Sequence, residues 1–317
     1  MKYCGIGVML YRCDGIEASS ASSNPSLHHS VFSRMPSAIP LLGAHMSISG
    51  GPSKALERGH SVGCTAVQIF VKNNMQWFAK DFAPAELEAY AKSSYRPNIV
   101  FGHSSYLINL CATDPVTFDR SRLALKAELE RADQLKLPFL VMHPGAHMGK
   151  GVDAGLALIA ESLNFVFSSL PKARCKVALE ITAGQGSNLG SNFAELAVII
   201  DRCRYPKRLL VCLDTAHLFA AGYDISTAKK FWNVFAEFEN QIGLARLAAW
   251  HLNDSKATLG SRVDRHEHIG KGKIGLAPFR EIMRSEQFSQ IPKVLETPKG
   301  EDLAEDRENL AMLRSLL

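Results

Sequence analysis

From residue 40 onward, short apolar runs alternate with longer segments in which apolar residues recur every three or four positions. The apolar runs are continuous rather than alternating, which is typical of parallel strands buried on both faces. The segments between them, such as 119–136, 152–170 and 301–317, have the spacing of amphipathic helices. The predicted strands are IPLLGAH, TAVQIF, NIVFGH, PFLVMH, KVALE, RLLVCLD, LAAWH and PKVLE.

The number and order of these elements predict the fold class. Eight strand–helix units in about 280 residues fit an α/β protein with a closed (β/α)8 barrel, the TIM barrel, whose usual length is about 250 residues. A doubly wound open sheet is the competing arrangement, but eight repeats that end in a helix favour closure. We therefore predict one barrel domain over residues 40–317.

Residues 1–39 differ from the rest of the chain. Between Glu17 and Ala38 there are eight serines, two prolines and no periodicity, which predicts a disordered leader. A start of translation at Met35 is an alternative, because ordered sequence is expected a few residues later. Organellar targeting is a third interpretation, although Asp14 and Glu17 are atypical of the acidic-poor transit peptides.

The composition indicates which partners and which cellular compartment to expect. The 36 basic and 31 acidic residues give a formal net charge of +5, which is compatible with a phosphate-bearing partner without demonstrating one. The seven cysteines form no CxxC pair, which indicates a reducing compartment, so we expect a cytoplasmic protein. No apolar run approaches the ~20 residues of a membrane span. We expect no membrane partner, and we expect a monomer.

Seven of the eight predicted strands end in His, Glu or Asp. In a (β/α)8 barrel, all strand C-termini open onto one face, where active sites form. One histidine at a strand end is more often a hydrogen-bonded core residue than a ligand. Seven such endings, however, would crowd buried carboxylates together unless cations compensated them. These residues are His45, His103, His143, Glu180, Asp214, His251 and Glu296.

Short pairs of His and Asp add further donors to this rim. Imidazole and carboxylate without thiolate suit Zn²⁺, Mn²⁺ or Fe²⁺ better than a Cys-rich structural zinc. The donors are too many for one ion, so we predict two or three divalent ions at the C-terminal rim of the barrel. The pairs are His143 with His147 in HPGAH, Asp214 with His217 in DTAH, and Asp264 with His266 in DRH.

Eight motifs resemble the endonuclease IV family of apurinic/apyrimidinic (AP) endonucleases. They are GAHMSISGG, HSSYLINL, HPG, LEITAGQGSNLG, LDTAHLFAAGYD, HLNDSK, GSRVDRHEHIGKG and LET, and the resemblance runs from residue 40 to the C-terminal helix. It implies a TIM barrel with a trinuclear zinc site, and the donor set leaves Mn²⁺ or Fe²⁺ as an alternative for part of the zinc. It also implies cleavage of the DNA phosphodiester 5′ to an abasic site and removal of groups that block 3′ ends.

The resemblance implies nine metal ligands around three ions. A hydroxide between the first two ions, near the bridging and catalytic Glu180, would be the nucleophile, and the third ion would stabilise the leaving oxygen. The implied ligands are His103, His143 and Glu180 for the first ion; Glu180, Asp214, His251 and Glu296 for the second; and His217, Asp264 and His266 for the third.

The implied partner is double-stranded DNA with an abasic or 3′-blocked lesion. An abasic nucleotide has no base to unstack, so its extrusion from the duplex costs little. Tyr106 and Leu107 would press into the duplex, although a packed loop aromatic is an equal alternative for Tyr106. Gln185 and Ser187 would donate to phosphate, and Arg265 is a further candidate phosphate contact.

One position departs from the family, and two other functions remain open. Met75 in VKNNMQW stands where some members have a basic residue, so we expect weaker or less salt-sensitive DNA binding. A divalent-metal sugar isomerase or epimerase on a similar barrel is the nearest alternative, and a DNA-damage binder with structural metals is the non-enzymatic one. The additional cluster of His217, Asp264 and His266 favours the nuclease.

Overall fold

A closed barrel of eight parallel strands forms the centre of this computed structural model, which describes residues 40–317. The leader and the alternative start predicted in residues 1–39 lie outside the described residues. The barrel order is β1-β2-β3-β4-β5-β6-β7-β10, and β10 pairs with β1 to close it. The strands are β1 (Leu42–Met46), β2 (Ala66–Phe70), β3 (Ile99–His103), β4 (Phe139–Met142), β5 (Lys176–Glu180), β6 (Leu209–Asp214), β7 (Leu247–His251), the short β8 (Asp254–Ser255) and β9 (His266–Glu267), and β10 (Lys293–Leu295).

Helices cover the outside of the barrel. The predicted helical segments are present, with ends that differ from the predictions by a few residues. The helices are α1 (Pro52–Ser61), α2 (Pro84–Ala91), α3 (Pro115–Gln134), α4 (Val152–Ser169), α5 (Phe193–Arg202), α6 (Thr215–Ala221), α7 (Ala228–Gln241), α8 (Ala277–Arg284) and α9 (Ala304–Ser315). The predicted (β/α)8 barrel is therefore confirmed, and the open-sheet alternative is wrong.

Each barrel strand is buried on both faces, which explains the continuous apolar runs. On β5, Val177 and Leu179 pack in the large core beneath the helices, whereas Ala178 belongs to a second cluster inside the barrel. On β6, Val211 packs outward and Cys212 inward in the same way. Successive strand side chains alternate between faces, so the interior and the helix layer are both filled from the same strands.

The strand alternation also determines which polar side chains face the interior. Glu180 follows the interior Ala178 by two residues, and Asp214 follows the interior Cys212 by two residues. Both carboxylates are fully buried. The top layer of the barrel interior is therefore polar, although the layer beneath it is apolar.

Two findings bear on the expected compartment. Cys64, Cys111, Cys175, Cys203 and Cys212 are all buried and free of disulfides. Among residues 40–317, α4 is the one helix long and apolar enough to cross a membrane by length and composition, and half of its apolar window is buried against the rest of the barrel. A buried core helix passes the same test, so this is weak evidence for a membrane span.

Candidate metal centre

The C-terminal ends of the barrel strands bring the predicted ligands to one rim. Four of them are the last residues of β3, β5, β6 and β7, and two more directly follow β4 and β10. His217 lies in the first turn of α6, directly after β6, while Asp264 lies just before β9 and His266 begins it. The strand-end ligands are His103, Glu180, Asp214 and His251, and the two that follow a strand are His143 and Glu296.

The first group of ligand-capable side chains consists of His103, His143 and Glu180, whose ligand atoms lie within 4.8 Å of one another. The Nε2 atoms of both histidines are 3.2 Å from Glu180 Oε2. His103 Nδ1 donates to the carbonyl of Ser104 at 2.7 Å, so we assign the ring proton to Nδ1. The Nε2 lone pair of His103 therefore faces the group and can bind a cation.

The second group joins Glu180 to Asp214, His251 and Glu296, again with ligand atoms within 4.8 Å of one another. His251 Nδ1 is 2.8 Å from Glu180 Oε1 and 3.2 Å from Glu296 Oε2. The two oxygens of Glu180 thus face different groups, Oε2 the first and Oε1 the second. This is the geometry of a bridging carboxylate, the role implied by the resemblance.

The third group consists of Asp214, His217 and His266. The resemblance implies Asp264 instead of Asp214 here, and Asp264 also lies close to this group. Its oxygens are 3.2 Å from His217 Nε2 and 3.3 Å from His266 Nε2. Asp264 therefore stays a predicted ligand, and Asp214 is placed between the second and the third group.

The histidines and carboxylates of this rim shift each other's pKa values. Burial alone would lower the pKa of His217, but the charges of Asp214 and Asp264 raise it well above its usual value. Burial alone would raise the pKa of Glu180, but the neighbouring charges of His251 and His143 lower it well below the usual range. The carboxylates thus stabilise any positive charge placed among them, whether a proton on imidazole or a metal cation.

Unsatisfied nitrogen atoms provide a test of whether these residues fit metal ions. His217 Nε2 and His266 Nε2 are buried, and neither has a hydrogen-bond partner among the described residues. Each lies 3.2 or 3.3 Å from an Asp264 oxygen without a hydrogen bond assigned to it. Because buried polar atoms in proteins are nearly always paired, atoms that converge without pairing fit a shared cation. The Nδ1 atoms of the same rings are adjacent to the carbonyls of Ile181 and Glu296, at 2.9 and 3.2 Å.

Sequence reasoning missed two residues that hold the ligands in place. Gln68 is fully buried, and its Oε1 accepts from His251 Nε2 at 2.8 Å while its Nε2 donates to Glu296 Oε1 at 2.6 Å. Asn253 donates to Asp214 Oδ2 at 2.6 Å and accepts from the backbone N–H of Glu296 at 2.8 Å. A polar residue within the apolar run TAVQIF was the available signal for Gln68.

His45 and His147, which the sequence also singled out, lie outside the three groups. His45 Nδ1 is 2.8 Å from Gln68 Nε2 and 3.3 Å from Glu296 Oε1. His147 Nδ1 accepts from the N–H groups of Gly149 and Gly151, each at 3.3 Å, which gives it a role in the turn. Of the pair His143 and His147, only His143 is placed in a ligand group.

The predicted DNA contacts lie in loops on the same rim. Tyr106 is 58% exposed, with its ring 5.5 Å from that of His103, and Leu107 beside it is half-buried. A cavity of about 360 Å³ lies elsewhere, at the opposite end of β3 and β4, whereas one of about 270 Å³ lies beside Tyr106 and the first group. Met75 is 71% exposed in the neighbouring loop. Tyr106 is thus an exposed aromatic side chain beside a cavity and the first ligand group.

The other predicted DNA contacts are used partly within the protein. Gln185 Oε1 accepts from the backbone N–H of Asp264 at 3.0 Å, and Ser187 Oγ accepts from that of Met148 at 3.3 Å. Arg265 is exposed, with Nη1 on the carbonyl of Asp264 at 2.9 Å. Gln185 and Arg265 are both exposed residues.

Comparisons with known proteins support the barrel fold and identify the family. A family described as the xylose isomerase-like TIM barrel matches residues 56–316. The chain is 48% identical over 281 residues to a probable endonuclease 4 of Chloroflexus aurantiacus, across 88% of this chain and 99% of that protein. It is 46% identical over 278 residues to a probable endonuclease 4 of Geobacter sulfurreducens, across 87% of this chain and 94% of that protein.

Solved structures give the same picture. The endonuclease IV of Thermus thermophilus superposes with a TM-score of 0.76 at 33% identity, covering 87% of this chain and 98% of that one. A D-tagatose 3-epimerase-like protein superposes with a TM-score of 0.63 at 17% identity, covering 86% of this chain and 97% of that one. At that identity the second likeness shows the fold alone.

Proposed function

This chain belongs to the endonuclease IV family, and from that premise we propose that it is a DNA-repair endonuclease which hydrolyses the phosphodiester 5′ to abasic sites. The observation that carries the proposal is the connected set of three ligand groups, in which Glu180 joins the first to the second and Asp214 the second to the third. A sugar isomerase typically needs one or two ions, so a third group of ligands has no evident use in that reaction.

The residues fit divalent cations, and we propose that three zinc ions bind, one per group. When bound, such ions neutralise the phosphodiester oxygens, activate the attacking water and stabilise the leaving oxygen. His103, His143 and Glu180 would hold the first, and His251, Glu296, Glu180 and Asp214 the second. The third would be held by His217, His266 and Asp264, with Asp214 between the last two groups.

The chain's own residues contribute orientation and exclusion of water. Glu180 is fully buried, and each of its oxygens faces a different ligand group, so its carboxylate determines their spacing. His251 is fixed by its hydrogen bond to Gln68, so its Nδ1 stays directed at the carboxylates. These ligands lie on rigid strand ends, which favours a preorganised site for a charged transition state.

The rim loops would recognise the lesion. Tyr106 and Leu107 would enter the duplex at the abasic site, and Met75 would press against it from the neighbouring loop. Gln185, Ser187 and Arg265 would contact phosphates. We further propose that the enzyme also removes 3′-blocking groups, that it acts as a monomer, and that it works in the cytoplasm on chromosomal DNA.

The direct test is incubation of the zinc-loaded protein with a duplex that carries one abasic site, next to the same duplex without the lesion. We expect a single incision immediately 5′ to the abasic site and an intact control duplex. Elemental analysis of the same sample should give about three metal ions per chain. A protein with full zinc occupancy that leaves the abasic duplex intact would overturn the proposal, and interconversion of ketoses would favour the epimerase.

A second test addresses the bridging role of Glu180. Glu180→Gln keeps the size of the side chain but removes the charge shared by two groups, so we expect incision to be abolished while the fold is kept. Glu281→Gln is a matched control, because Glu281 accepts from Trp232 on the helix layer, away from the ligand groups. Near-wild-type incision by Glu180→Gln would show that the bridging role is wrong.

A further inference from the structure

The loop that carries His266 ends in the motif GKGKIG, for which the proposed mechanism has no use. This segment wraps around the carboxylate of Asp254, a buried residue on β8. Asp254 Oδ2 accepts from the backbone N–H groups of Gly270 and Gly272, each at 3.0 Å. Its Oδ1 accepts from those of Ser255 and Ile274, at 2.8 and 3.0 Å.

We propose that Asp254 is a positioning residue for the third metal ion, and that it acts by fastening the loop that presents His266. This inference rests on the proposed function, because it assumes that His217, Asp264 and His266 bind an ion. In the described structure Asp254 forms no hydrogen bond or ion pair with these side chains, and its carboxylate accepts from backbone N–H groups. Its effect on the ion is therefore indirect.

The glycines of the motif fit this role. A Cβ atom at residue 272 would lie 2.4 Å from Asp254 Oδ1 and 2.6 Å from the carbonyl oxygen of Ser255, distances that no real side chain occupies. Gly270 has a φ of 77°, in the left-handed region that glycine adopts without strain. The close approach to the carboxylate thus requires glycine at position 272, whereas the left-handed backbone and the nearby Leu276 side chain favour glycine at position 270.

The fastening reaches His266 from both sides along the chain. Upstream, the antiparallel pairing of β8 and β9 sets Ser255 opposite His266, and Lys256 N–H donates to the carbonyl of Arg265 at 2.9 Å. Downstream, Asp254 holds residues 270–274, and Asn309 on α9 accepts from the N–H of Ile269 at 2.9 Å. His266 is thereby held with Nε2 3.3 Å from Asp264 and 3.7 Å from Asp214.

The loss of these hydrogen bonds would release the downstream half of the loop. An asparagine at position 254 keeps the shape of the aspartate but has one accepting oxygen, and its NH₂ group would face two backbone N–H donors. His266 would then sample other positions, and the third group would lose a ligand for part of the time. The first two groups come from other strands, so their ligands would stay in place.

The experiment is a zinc-binding titration of the full chain, with free zinc set by a competing chelator and bound zinc measured by elemental analysis. The variants are Asp254→Asn and Gly272→Ala, which disturb the same contact from opposite sides. Asp133→Asn is the matched control, because Asp133 also accepts from backbone N–H groups, those of Arg174 and Cys175, at the other end of the barrel. Circular dichroism confirms that each variant is folded.

In both variants, we expect one zinc ion to dissociate at a free zinc concentration at least about tenfold higher than in the wild type. A loss of affinity of this size is typical when residues that support metal ligands are changed. The other two equivalents and all three of the control should bind as in the wild type. Retention of all three ions with wild-type affinity in both variants would overturn the inference, and so would parallel weakening of all three. A wild-type chain that binds one ion would contradict the proposed function itself, whatever the variants do.

Discussion

Gln68 is a residue whose replacement should weaken the metal centre without removing any ligand. Its side-chain amide makes three hydrogen bonds, to His251 Nε2 at 2.8 Å, Glu296 Oε1 at 2.6 Å and His45 Nδ1 at 2.8 Å. Leucine has a similar size but no polar atoms. Gln68→Leu therefore removes all three bonds and leaves the partners buried.

The magnitude follows from these contacts. A neutral hydrogen bond contributes about 1 kcal/mol and one to a charged group about 1.5–3 kcal/mol, so the loss is roughly 4 kcal/mol. Burial of the leucine side chain offsets roughly 2 kcal/mol of this. We expect the free energy of unfolding of the metal-free protein to fall by about 2 kcal/mol.

The effect on metal binding should be concentrated at one ion. His251 presents Nδ1 to the second group because its Nε2–H is held by Gln68, and without that partner the ring can rotate or change tautomer. The loss of such a supporting bond typically lowers metal affinity 10–100-fold. We expect the ion bound by the second group to weaken by this factor and the ion held by His217 and His266 to be little affected.

The assay combines urea unfolding of the metal-free protein with zinc titration of the folded one. Gln241→Leu is the matched control, because Gln241 is exposed on α7 and bonds to Glu237. The reasoning is refuted if Gln68→Leu binds three zinc ions with wild-type affinity. It is also refuted if all ions weaken equally while Gln241→Leu behaves like the wild type.

Three further predictions concern residues away from the ligands. Lys72 and Glu128 form a buried ion pair at 2.8 Å, so Glu128→Gln should lower the free energy of unfolding by about 3–5 kcal/mol. The double variant with Lys72→Met should recover most of that loss in urea unfolding, and no recovery would contradict the pairing. Burial lowers the pKa of Lys293 from 10.5 to about 8, so between pH 8 and 10.5 the unfolded chain binds more protons than the folded one. The free energy of unfolding should therefore rise with pH over this range, by about 3 kcal/mol relative to Lys293→Met. Parallel pH profiles of stability for the wild type and Lys293→Met would refute this. Met75→Arg should add one phosphate contact and steepen the salt dependence of DNA binding by about 0.9 in log–log slope, and an unchanged slope in fluorescence anisotropy would show that residue 75 does not face the DNA.

The strands were predictable because a strand that is buried on both faces appears in the sequence as a continuous apolar run. All eight apolar runs are barrel strands, although β1 continues one residue past His45, and β4 and β10 end one residue before His143 and Glu296. The helix ends were less predictable, as α3 begins at Pro115 with Asp114 as its N-cap, four residues before the predicted segment. Capping by one side chain is a local event that apolar periodicity does not record.

The sequence indicated which loops lie at the rim, but not the hydrogen bonds that their residues form. Gln185 was predicted as a phosphate donor, yet its oxygen accepts from the N–H of Asp264, a residue 79 positions along the chain. In the sequence, Asp254 is simply one acidic residue in HLNDSK. Only the folded loop shows that four backbone N–H groups converge on its carboxylate. Hydrogen bonds of this kind join segments that are far apart in the sequence, so they cannot be predicted from residue spacing.

The position of the metal centre follows from strand alternation more simply than from any motif. Seven strands place an apolar residue in the barrel interior, and two positions later, on the same face, each carries a polar side chain. Six of these polar residues are predicted ligands, and the seventh is Gln68, which holds two of the others. The same count along TAVQIF would have identified Gln68 from sequence, because Ala66 is interior and Gln68 follows it by two. His217, Asp264 and His266 lie beyond the barrel strands, where this alternation does not apply, so the third group depends on loop anchors such as Asp254. The pairs are Ala66 and Gln68, Phe101 and His103, Val141 and His143, Ala178 and Glu180, Cys212 and Asp214, Ala249 and His251, and Val294 and Glu296.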